Sequence, residues 1–270
     1  MSKLAFIGGG NMARSLIGGM IARGHDAKQI GVGEPFAEAR AGLEREFGVT
    51  VSADNSAIVA GAEVLVLAVK PQKMAEVCAA LPALSASTLV MSIAAGVTLT
   101  QLRRWLGDGP RLLRVMPNTP ALVSAGTTAL CGETGMSDGD YQSAEALFAS
   151  VGSTVRIPQE SLMDAVTAVS GSGPAYFFLL MEALEAAAIA QGLSPEAARE
   201  LVTGTALGAA KMAVEDSEGA AQLRHRVTSP GGTTAAAIAV FEGAGLAGIV
   251  DQAITAATQR GRSLAAEQET

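Results

Sequence analysis

A glycine-rich turn directly after a short apolar run constrains this chain more than any other feature. Residues 4–7 are Leu-Ala-Phe-Ile, and a helical pattern begins at Asn11. Between them, Gly8 and Gly10, with Ala13 as the third small residue, fit the G-x-G-x-x-A pattern. That pattern allows a tight turn and a close approach of the backbone to a pyrophosphate, which the helix N-terminus then faces. The sequence therefore predicts a strand–turn–helix unit that binds a dinucleotide.

Apolar runs alternate with helical patterns through the first half of the chain. Residues 63–69 and 87–93 are mainly apolar and rich in β-branched residues, which is typical of strands buried on both faces of a parallel sheet. Helical patterns cover residues 11–22 and 37–47. Alternation of this kind predicts an α/β fold, with an N-terminal Rossmann-type doubly wound sheet over residues 1–160.

The pattern changes near residue 160. From Ser161 onward there is no strand-like run, and Pro174 and Gly192 are suited to the start and end of a long helix. Ser194-Pro195 supplies an N-cap and a first-turn proline, and two more helices are expected near 234–242 and 246–267. We expect residues 161–270 to form an all-helical substrate-binding and dimerisation domain, rather than a monomeric helical subdomain.

Composition supports self-association and excludes several classes of partner. Hydrophobic residues make up 49% of the chain against 17% charged, so part of the apolar surface is expected to lie between subunits. A formal net charge of −7 argues against nucleic acid and anionic membranes as partners. The apolar stretch 175–190 contains Glu182 and Glu185 and is shorter than the roughly 20 residues that a bilayer requires.

Cellular location is predicted from the cysteines and the start of the chain. Cys78 and Cys131 form neither a disulfide framework nor a metal-binding pair, which fits a reducing compartment. The first residues lack the apolar stretch of a signal peptide. We therefore expect a cytoplasmic protein without a metal site.

Glu34 is the residue that bears on cofactor choice. It lies at the end of a second strand, near residues 29–33, where an acid accepts a hydrogen bond from the adenosine ribose 2′-hydroxyl. The same charge repels a 2′-phosphate, so Glu34 favours NADH over NADPH. The alternative is a solvated loop acid, and the next basic residue along the chain is Arg40.

Candidate acid–base groups are scarce. His25 is expected to be an exposed turn residue, and His225 stands between Arg224 and Arg226 on a polar helical end. No nucleophile–base pair or metal-ligand spacing is present in the sequence. A hydride transfer to a substrate that already carries its proton, such as an iminium ion, tolerates this scarcity.

One segment is suited to orienting such a substrate. Residues 227–234 are Val-Thr-Ser-Pro-Gly-Gly-Thr-Thr and lead into a helical pattern. A turn of this composition presents consecutive backbone N–H groups to a carboxylate, and the hydroxyls of Thr233 and Thr234 can bond a nitrogen's proton. An ordinary helix N-cap remains the alternative.

Six segments in order closely resemble the pyrroline-5-carboxylate reductase family over the whole chain, and together they are far more specific than any one alone. They are residues 6–13, 67–71, 92–98, 115–120, 170–176 and 227–234. The resemblance implies hydride transfer from NADPH or NADH to the C=N bond of 1-pyrroline-5-carboxylate, giving L-proline in the last step of proline biosynthesis. It also implies a helical domain that interlocks with its partner, in a dimer or a ring of dimers.

The resemblance also implies site residues. Beside the cofactor-binding Gly8, Gly10, Asn11, Met12 and Glu34, it places Asn55, Ala68, Val69, Lys70, Pro71, Ala95, Gly96, Asn118 and Thr119 at the cofactor. It implies that Ser229, Gly232 and Thr233 hold the substrate carboxylate, with Gly231 in the same binding turn. Thr234 would bond the ring nitrogen as the catalytic residue.

Two positions leave alternatives open. NADPH-preferring members of the family often carry a polar residue followed by arginine where this chain has Glu34-Pro35, so use of both cofactors remains an alternative. Lys70 is either a proton donor or a lysine that serves cofactor or loop structure.

Two other functions are open at this point. A ketopantoate-like or 3-hydroxyacid-type reductase would need a lysine in the helical half, where Lys211 is the candidate. A nicotinamide-binding regulatory protein without turnover is the other, and the intact glycine turn and Ser-Pro-Gly-Gly-Thr-Thr segment argue against it.

Overall fold

The computed structural model describes residues 3–267. Contacts divide these residues into two compact units. The sheet unit extends to Ser172 and resumes at Ala256, and the helical unit is Gly173–Thr255. The domain boundary at residue 160 stays a prediction.

An eight-stranded sheet forms the centre of the sheet unit. Its strands are β1 Leu4–Ile7, β2 Ile30–Gly33, β3 Thr50–Ser52, β4 Val64–Leu67, β5 Leu89–Ser92, β6 Arg111–Met116, β7 Gly126–Gly132 and β8 Gly152–Arg156. The order is β3-β2-β1-β4-β5-β6-β7-β8, and every pair is parallel except β6–β7. The first six strands therefore end at one edge of the sheet, and the predicted α/β class is confirmed.

Six α-helices accompany the sheet. They are α1 Asn11–Ala22, α2 Ala37–Phe47, α3 Asn55–Val59, α4 Pro71–Ala79, α5 Leu99–Leu106 and α6 Asp138–Phe148. α1 and α2 have the predicted bounds. Local signals account for the starts: Pro71 occupies the first turn of α4, and Thr98 and Gln101 form a reciprocal capping box on α5.

Apolar residues of the central strands β1, β4 and β5 alternate between two apolar clusters. Leu4 and Phe6 belong to a cluster that includes buried residues of α1, α2 and α6. Ala5 and Ile7 belong to the other, with residues of α3, α4 and α5. Helices therefore cover both faces of the sheet, which is why its central strands β1 and β4 are apolar at every position.

A buried arginine ties the segment after residue 160 to the sheet. Arg114 of β6 is 4% exposed and contacts Glu160 Oε1 at 3.2 Å and Asp164 Oδ1 at 3.4 Å. Glu160 also accepts from the Leu99 N–H at 2.7 Å. Helix α7, Met163–Val166, and a π-helical turn, Thr167–Gly171, follow in the same unit.

The helical unit contains long helices with almost no interior of its own. They are α8 Gly173–Ala190, α9 Pro195–Glu215, α10 Ala220–Arg226, α11 Thr233–Gly243 and the first part of α12 Leu246–Glu267. Ser194 caps α9 by accepting from the Ala197 N–H, as predicted. Among the large apolar side chains, Phe177 is 66% exposed and Leu179 67%.

One helical stretch is long and apolar enough to cross a bilayer. It is Glu160–Ala190, and the bent pair Thr233–Gly243 and Leu246–Glu267 would raise the number to two in the described part of the chain. The stretch is longer than residues 175–190, because the helices before Gly173 continue into α8. Length and composition alone are weak grounds for a membrane span.

Candidate active site

The glycine turn at the end of β1 has the geometry that a dinucleotide site requires. Gly8 has φ +97°, and a Cβ there would lie 2.6 Å from the Ala68 carbonyl oxygen, so no larger residue fits. Gly10 is the N-cap of α1, and nothing lies within 4 Å of where its Cβ would be. The first turn of α1 therefore presents the N–H groups of Asn11 and Met12 beside open space, as pyrophosphate binding needs.

Glu34 lies immediately beside this turn. It is 8% exposed, so the alternative of a solvated loop acid is wrong. Its Oε2 accepts from the Gly9 N–H at 3.0 Å and its Oε1 from the Phe36 N–H at 3.1 Å. The carboxylate is thus held by backbone donors, and each oxygen keeps a lone pair for a further donor.

Asn55 is placed at the same edge. It begins α3, and a Cβ on Gly33 would collide with its Oδ1. A larger residue at the end of β2 would therefore have to displace the Asn55 side chain. The contact joins Asn55 to the strand end that carries Glu34.

The ends of β4, β5 and β6 supply the remaining predicted cofactor residues of the sheet unit. Ala68 donates its N–H to the Ile7 carbonyl, and Val69 Cγ1 lies close to Gly8. Lys70 is exposed and precedes Pro71, the first residue of α4. Ala95 and Gly96, the latter with φ +75°, follow β5, and Asn118 and Thr119 follow β6. All of them lie at the carboxyl edge of the parallel strands.

Asn118 uses its side chain to hold the protein together. Its Oδ1 accepts from the Thr127 N–H at 2.9 Å, and its Nδ2 donates to the carbonyl and the hydroxyl of Ser170, both at 3.3 Å. Ser170 belongs to the π-helical turn, where Ser172 donates its N–H to the Thr167 carbonyl. Such turns often accompany functional sites, and this one fixes Asn118 at the end of β6.

The candidate substrate turn lies in the helical unit. Gly231 has φ +71°, and the Gly232 N–H donates to the Ser229 carbonyl at 3.1 Å. A Cβ on Gly232 would lie 2.5 Å from Ser229 Oγ. Gly232 caps α11 without a side-chain acceptor, so the N–H groups of Thr233 and Thr234 open the helix without intrahelical partners. The turn can therefore receive a carboxylate.

The possible acid–base groups differ from expectation at one position. His25 is half-buried rather than exposed, because the chain turns back after α1. The backbone N–H of His25 donates to the Met20 carbonyl. His25 Nε2 is buried without a hydrogen-bond partner among residues 3–267. His225 and Lys211 are exposed on α10 and α9. Burial raises the pKa of the Cys78 thiol to about 12, which leaves it protonated at neutral pH.

Sequence reasoning missed two groups at the site. Arg40 of α2 donates to the carbonyls of the loop that follows Glu34, and Ser170 bonds Asn118. The sequence carries no specific signal for either residue. Each hydrogen bond forms only because the folded backbone brings the two partners together.

Comparisons with known proteins agree over both units. A family model described as pyrroline-5-carboxylate reductase dimerisation matches residues 160–264, and one described as NADP oxidoreductase coenzyme F420-dependent matches residues 3–96. The pyrroline-5-carboxylate reductase of Pseudomonas aeruginosa is 49% identical over 264 residues, covering 97% of each chain.

Solved structures of pyrroline-5-carboxylate reductases are similar to this chain over nearly its whole length. That of a pyrroline-5-carboxylate reductase from Coxiella burnetii has a TM-score of 0.92 at 40% identity, covering 97% of this chain and 98% of that one. A Plasmodium falciparum pyrroline carboxylate reductase with NADP bound has a TM-score of 0.84 at 28% identity, covering 98% of each.

The fold, the carboxyl edge and these similarities define an NAD(P)H-dependent oxidoreductase that acts on a cyclic imine. The chain belongs to the pyrroline-5-carboxylate reductase family. Its reaction is the reduction of 1-pyrroline-5-carboxylate to L-proline in proline biosynthesis. A Mycobacterium tuberculosis 3-hydroxyisobutyrate dehydrogenase, at 18% identity, shares the fold alone.

Proposed function

We propose that the two units divide the reaction between them. The sheet unit holds the dinucleotide at the carboxyl edge of its parallel strands. The helical unit holds the substrate carboxylate and nitrogen at the turn Ser229–Thr234. The observation that carries this division is the pair of helix N-termini, on α1 and α11, that open behind glycines without side-chain caps.

On the cofactor side, the chain's own groups do the binding. The N–H groups of Asn11 and Met12 face the pyrophosphate across Gly8 and Gly10, and Glu34 accepts from the ribose 2′-hydroxyl. Asn55 contacts the cofactor beside the end of β2, where Glu34 lies. The residues that line the nicotinamide part of the site are Ala68, Val69, Lys70, Pro71, Ala95, Gly96, Asn118 and Thr119. Bound NAD(P)H supplies the hydride.

On the substrate side, positioning replaces acid–base chemistry. Ser229 and the backbone of Gly231, Gly232 and Thr233 bind the carboxylate, whose charge the N-terminus of α11 favours. Thr234 accepts from the protonated ring nitrogen with its hydroxyl and so orients the C=N bond. No protein group needs to donate a proton to a substrate that arrives as the iminium ion.

Cofactor preference follows from Glu34. Its carboxylate is fixed by two backbone N–H groups, so it remains beside the ribose whichever cofactor binds. We expect NADH to be used faster than NADPH, with both accepted.

We further propose that the chain works in the cytoplasm as a dimer or a ring of dimers. The helical unit leaves many large apolar side chains exposed, and its segment matches a dimerisation domain. A second copy is the partner that covers such a surface.

The direct test is oxidation of NADH and of NADPH, in parallel, by the purified protein with 1-pyrroline-5-carboxylate. Proline formation with either cofactor supports the assignment. Folded protein that oxidises neither cofactor would remove the assignment. Reduction of a keto acid that depended strictly on Lys211 would replace it with the other kind of reductase.

A matched pair of variants tests the roles in the turn. Thr234→Ala should lower kcat about a hundredfold, with little change in cofactor affinity, because one oriented hydrogen bond is lost at the reacting group. Thr233→Ala should act mainly on KM. Turnover at the wild-type rate in Thr234→Ala would exclude this hydroxyl from the mechanism.

A further inference from the structure

The guanidinium of Arg40 lies against the loop after β2 and has no role in the proposed function. Arg40, in the first turns of α2, donates from Nη1 to the Glu34 carbonyl at 2.7 Å and to the Pro35 carbonyl at 2.8 Å. It forms no ion pair within residues 3–267. The guanidinium is therefore fixed over this loop by backbone acceptors.

Arg40 retains donors for a ligand. The two hydrogen bonds use both hydrogens of Nη1, while Nε and Nη2 find no acceptor in the described part of the chain. A guanidinium is always charged, and its planar set of donors matches the oxygens of a phosphate.

Glu34 directs its charge elsewhere. Its carboxylate is buried against the N–H groups of Gly9 and Phe36, whereas Arg40 lies against the backbone of Glu34 and Pro35. The buried carboxylate of Glu34 can therefore accept a hydrogen bond from a ribose 2′-hydroxyl, while the guanidinium of Arg40, against the same loop, can bind a 2′-phosphate.

We propose that Arg40 is the residue that lets this chain accept the 2′-phosphate of NADPH despite Glu34. The inference rests on the proposed placement of the ribose at Glu34. The sequence has no arginine directly after β2. Arg40, on α2 and six positions after Glu34, supplies the positive charge instead. Cofactor choice is then set by the opposition of these two charges.

Calorimetric titration tests the proposal without turnover. The probes are NADP⁺ against NAD⁺, and adenosine 2′,5′-bisphosphate against AMP, pairs that differ only in the 2′-phosphate. Arg40→Gln should weaken binding of NADP⁺ and of the bisphosphate about tenfold or more, the scale of a charged hydrogen bond, and change NAD⁺ and AMP less than about twofold.

Arg45→Gln is the matched control, because Arg45 is an exposed arginine on the same helix and should change neither pair. Arg40→Lys keeps the charge without the planar donors and should lie between wild type and Arg40→Gln. The salt dependence of NADP⁺ binding should also weaken in Arg40→Gln.

Two results would overturn the proposal. Equal losses for NAD⁺ and NADP⁺ in Arg40→Gln would reduce Arg40 to a support of the loop. Unchanged binding of NADP⁺ and of the bisphosphate in that variant would exclude a contact between Arg40 and the 2′-phosphate. A wild-type protein that bound NADP⁺ through Arg40 but oxidised neither cofactor with 1-pyrroline-5-carboxylate would instead defeat the proposed function.

Discussion

The sheet unit and the helical unit solve the problem of apolar burial in opposite ways. Among residues 3–267, all but one of the buried apolar side chains lie in the sheet unit, where helices cover both faces of the strands. In the helical unit, Ala198 is the buried apolar side chain, while Phe177, Leu179 and others are largely exposed. One half of the chain encloses a core by itself, and the other half presents the kind of surface that a second copy covers.

Because of this difference, we expect substitutions to affect the folding of the sheet unit and the assembly of the helical unit separately. Damage inside the sheet unit should lower its stability and cofactor binding, with the assembly retained. Damage on the exposed helices should abolish the assembly and leave dinucleotide binding in place. Three predictions test that separation, in decreasing order of effect.

The largest effect is expected from Leu179→Glu. A carboxylate at this exposed apolar position of α8 should raise the dissociation constant of the assembly by at least about two orders of magnitude, since burying an unpaired charge costs several kcal/mol. Analytical ultracentrifugation measures the association, and calorimetry the binding of NAD⁺, which should persist.

Val155→Glu is the control, because Val155 is 49% exposed on β8 at the edge of the sheet. It should leave the association unchanged. An unaltered assembly in Leu179→Glu would mean that α8 is not part of the interface, and lost NAD⁺ binding would mean that the units are not separable.

A smaller effect is expected from Gly8→Ala. The added Cβ would meet the Ala68 carbonyl at 2.6 Å in a backbone with φ +97°, so we expect loss of cofactor binding and about 3 kcal/mol of unfolding free energy. Denaturant unfolding and NAD⁺ titration measure the two, and the association should not change.

Gly24→Ala distinguishes the cost of backbone strain at a positive φ from the cost of a steric clash of the added Cβ. Gly24 also has a positive φ, +88°, but nothing lies within 4 Å of its Cβ position. It should lose only about 1 kcal/mol and keep its cofactor affinity. Equal losses in the two variants would show that the close approach of Gly8 to Ala68 does not matter.

At neutral pH the smallest effect concerns the thiols of the sheet unit, which matter to stability only in alkaline solution. Burial raises the pKa of Cys78 from 9.0 to about 12 and also raises that of Cys131. Because the unfolded thiol ionises first, the stabilisation from Cys78 is complete below about pH 9 and is lost as the pH rises from about 9 to 12, by at most about 1.4 kcal/mol per pH unit.

Thiol labelling extends this prediction to the comparison of the units. Both cysteines should react slowly at pH 8 in wild type and in Leu179→Glu, and rapidly only in denaturant. Fast labelling of the dissociated variant would show that the sheet core depends on the helical assembly.

The predictable part of the molecule is the part with local signals. Caps or left-handed conformations mark helix ends at Gly10, Phe47-Gly48, Ser194-Pro195 and Gly245. The sequence predicts those particular helix ends within a residue or two. Direction of pairing has no such signal: the antiparallel β6–β7 pair and the parallel β8 depend on contacts distant in sequence.

The candidate site follows the same rule. The glycine turn, Glu34 and the substrate turn were evident from residue types at fixed spacing. The inward orientation of Glu34 and the position of Arg40 were not, since hydrogen bonds to backbone atoms decide both. His25 was wrongly expected to be exposed for a similar reason, because the return of the chain after α1 is not encoded by the turn residues alone.

The buried Arg114 has a consequence for recombining this chain with its relatives. Its partners Glu160 and Asp164 precede the helical unit, and on α12 the Gly261 backbone packs against Asp164 and the Ala265 carbonyl accepts from Gln101. A chimaera that joined two parents at residue 160 would take the buried cation from one parent and its counter-charges from the other. Crossovers at Ser172 and Ala256 keep each charge with its native partner, so they are the places where helical halves can be exchanged.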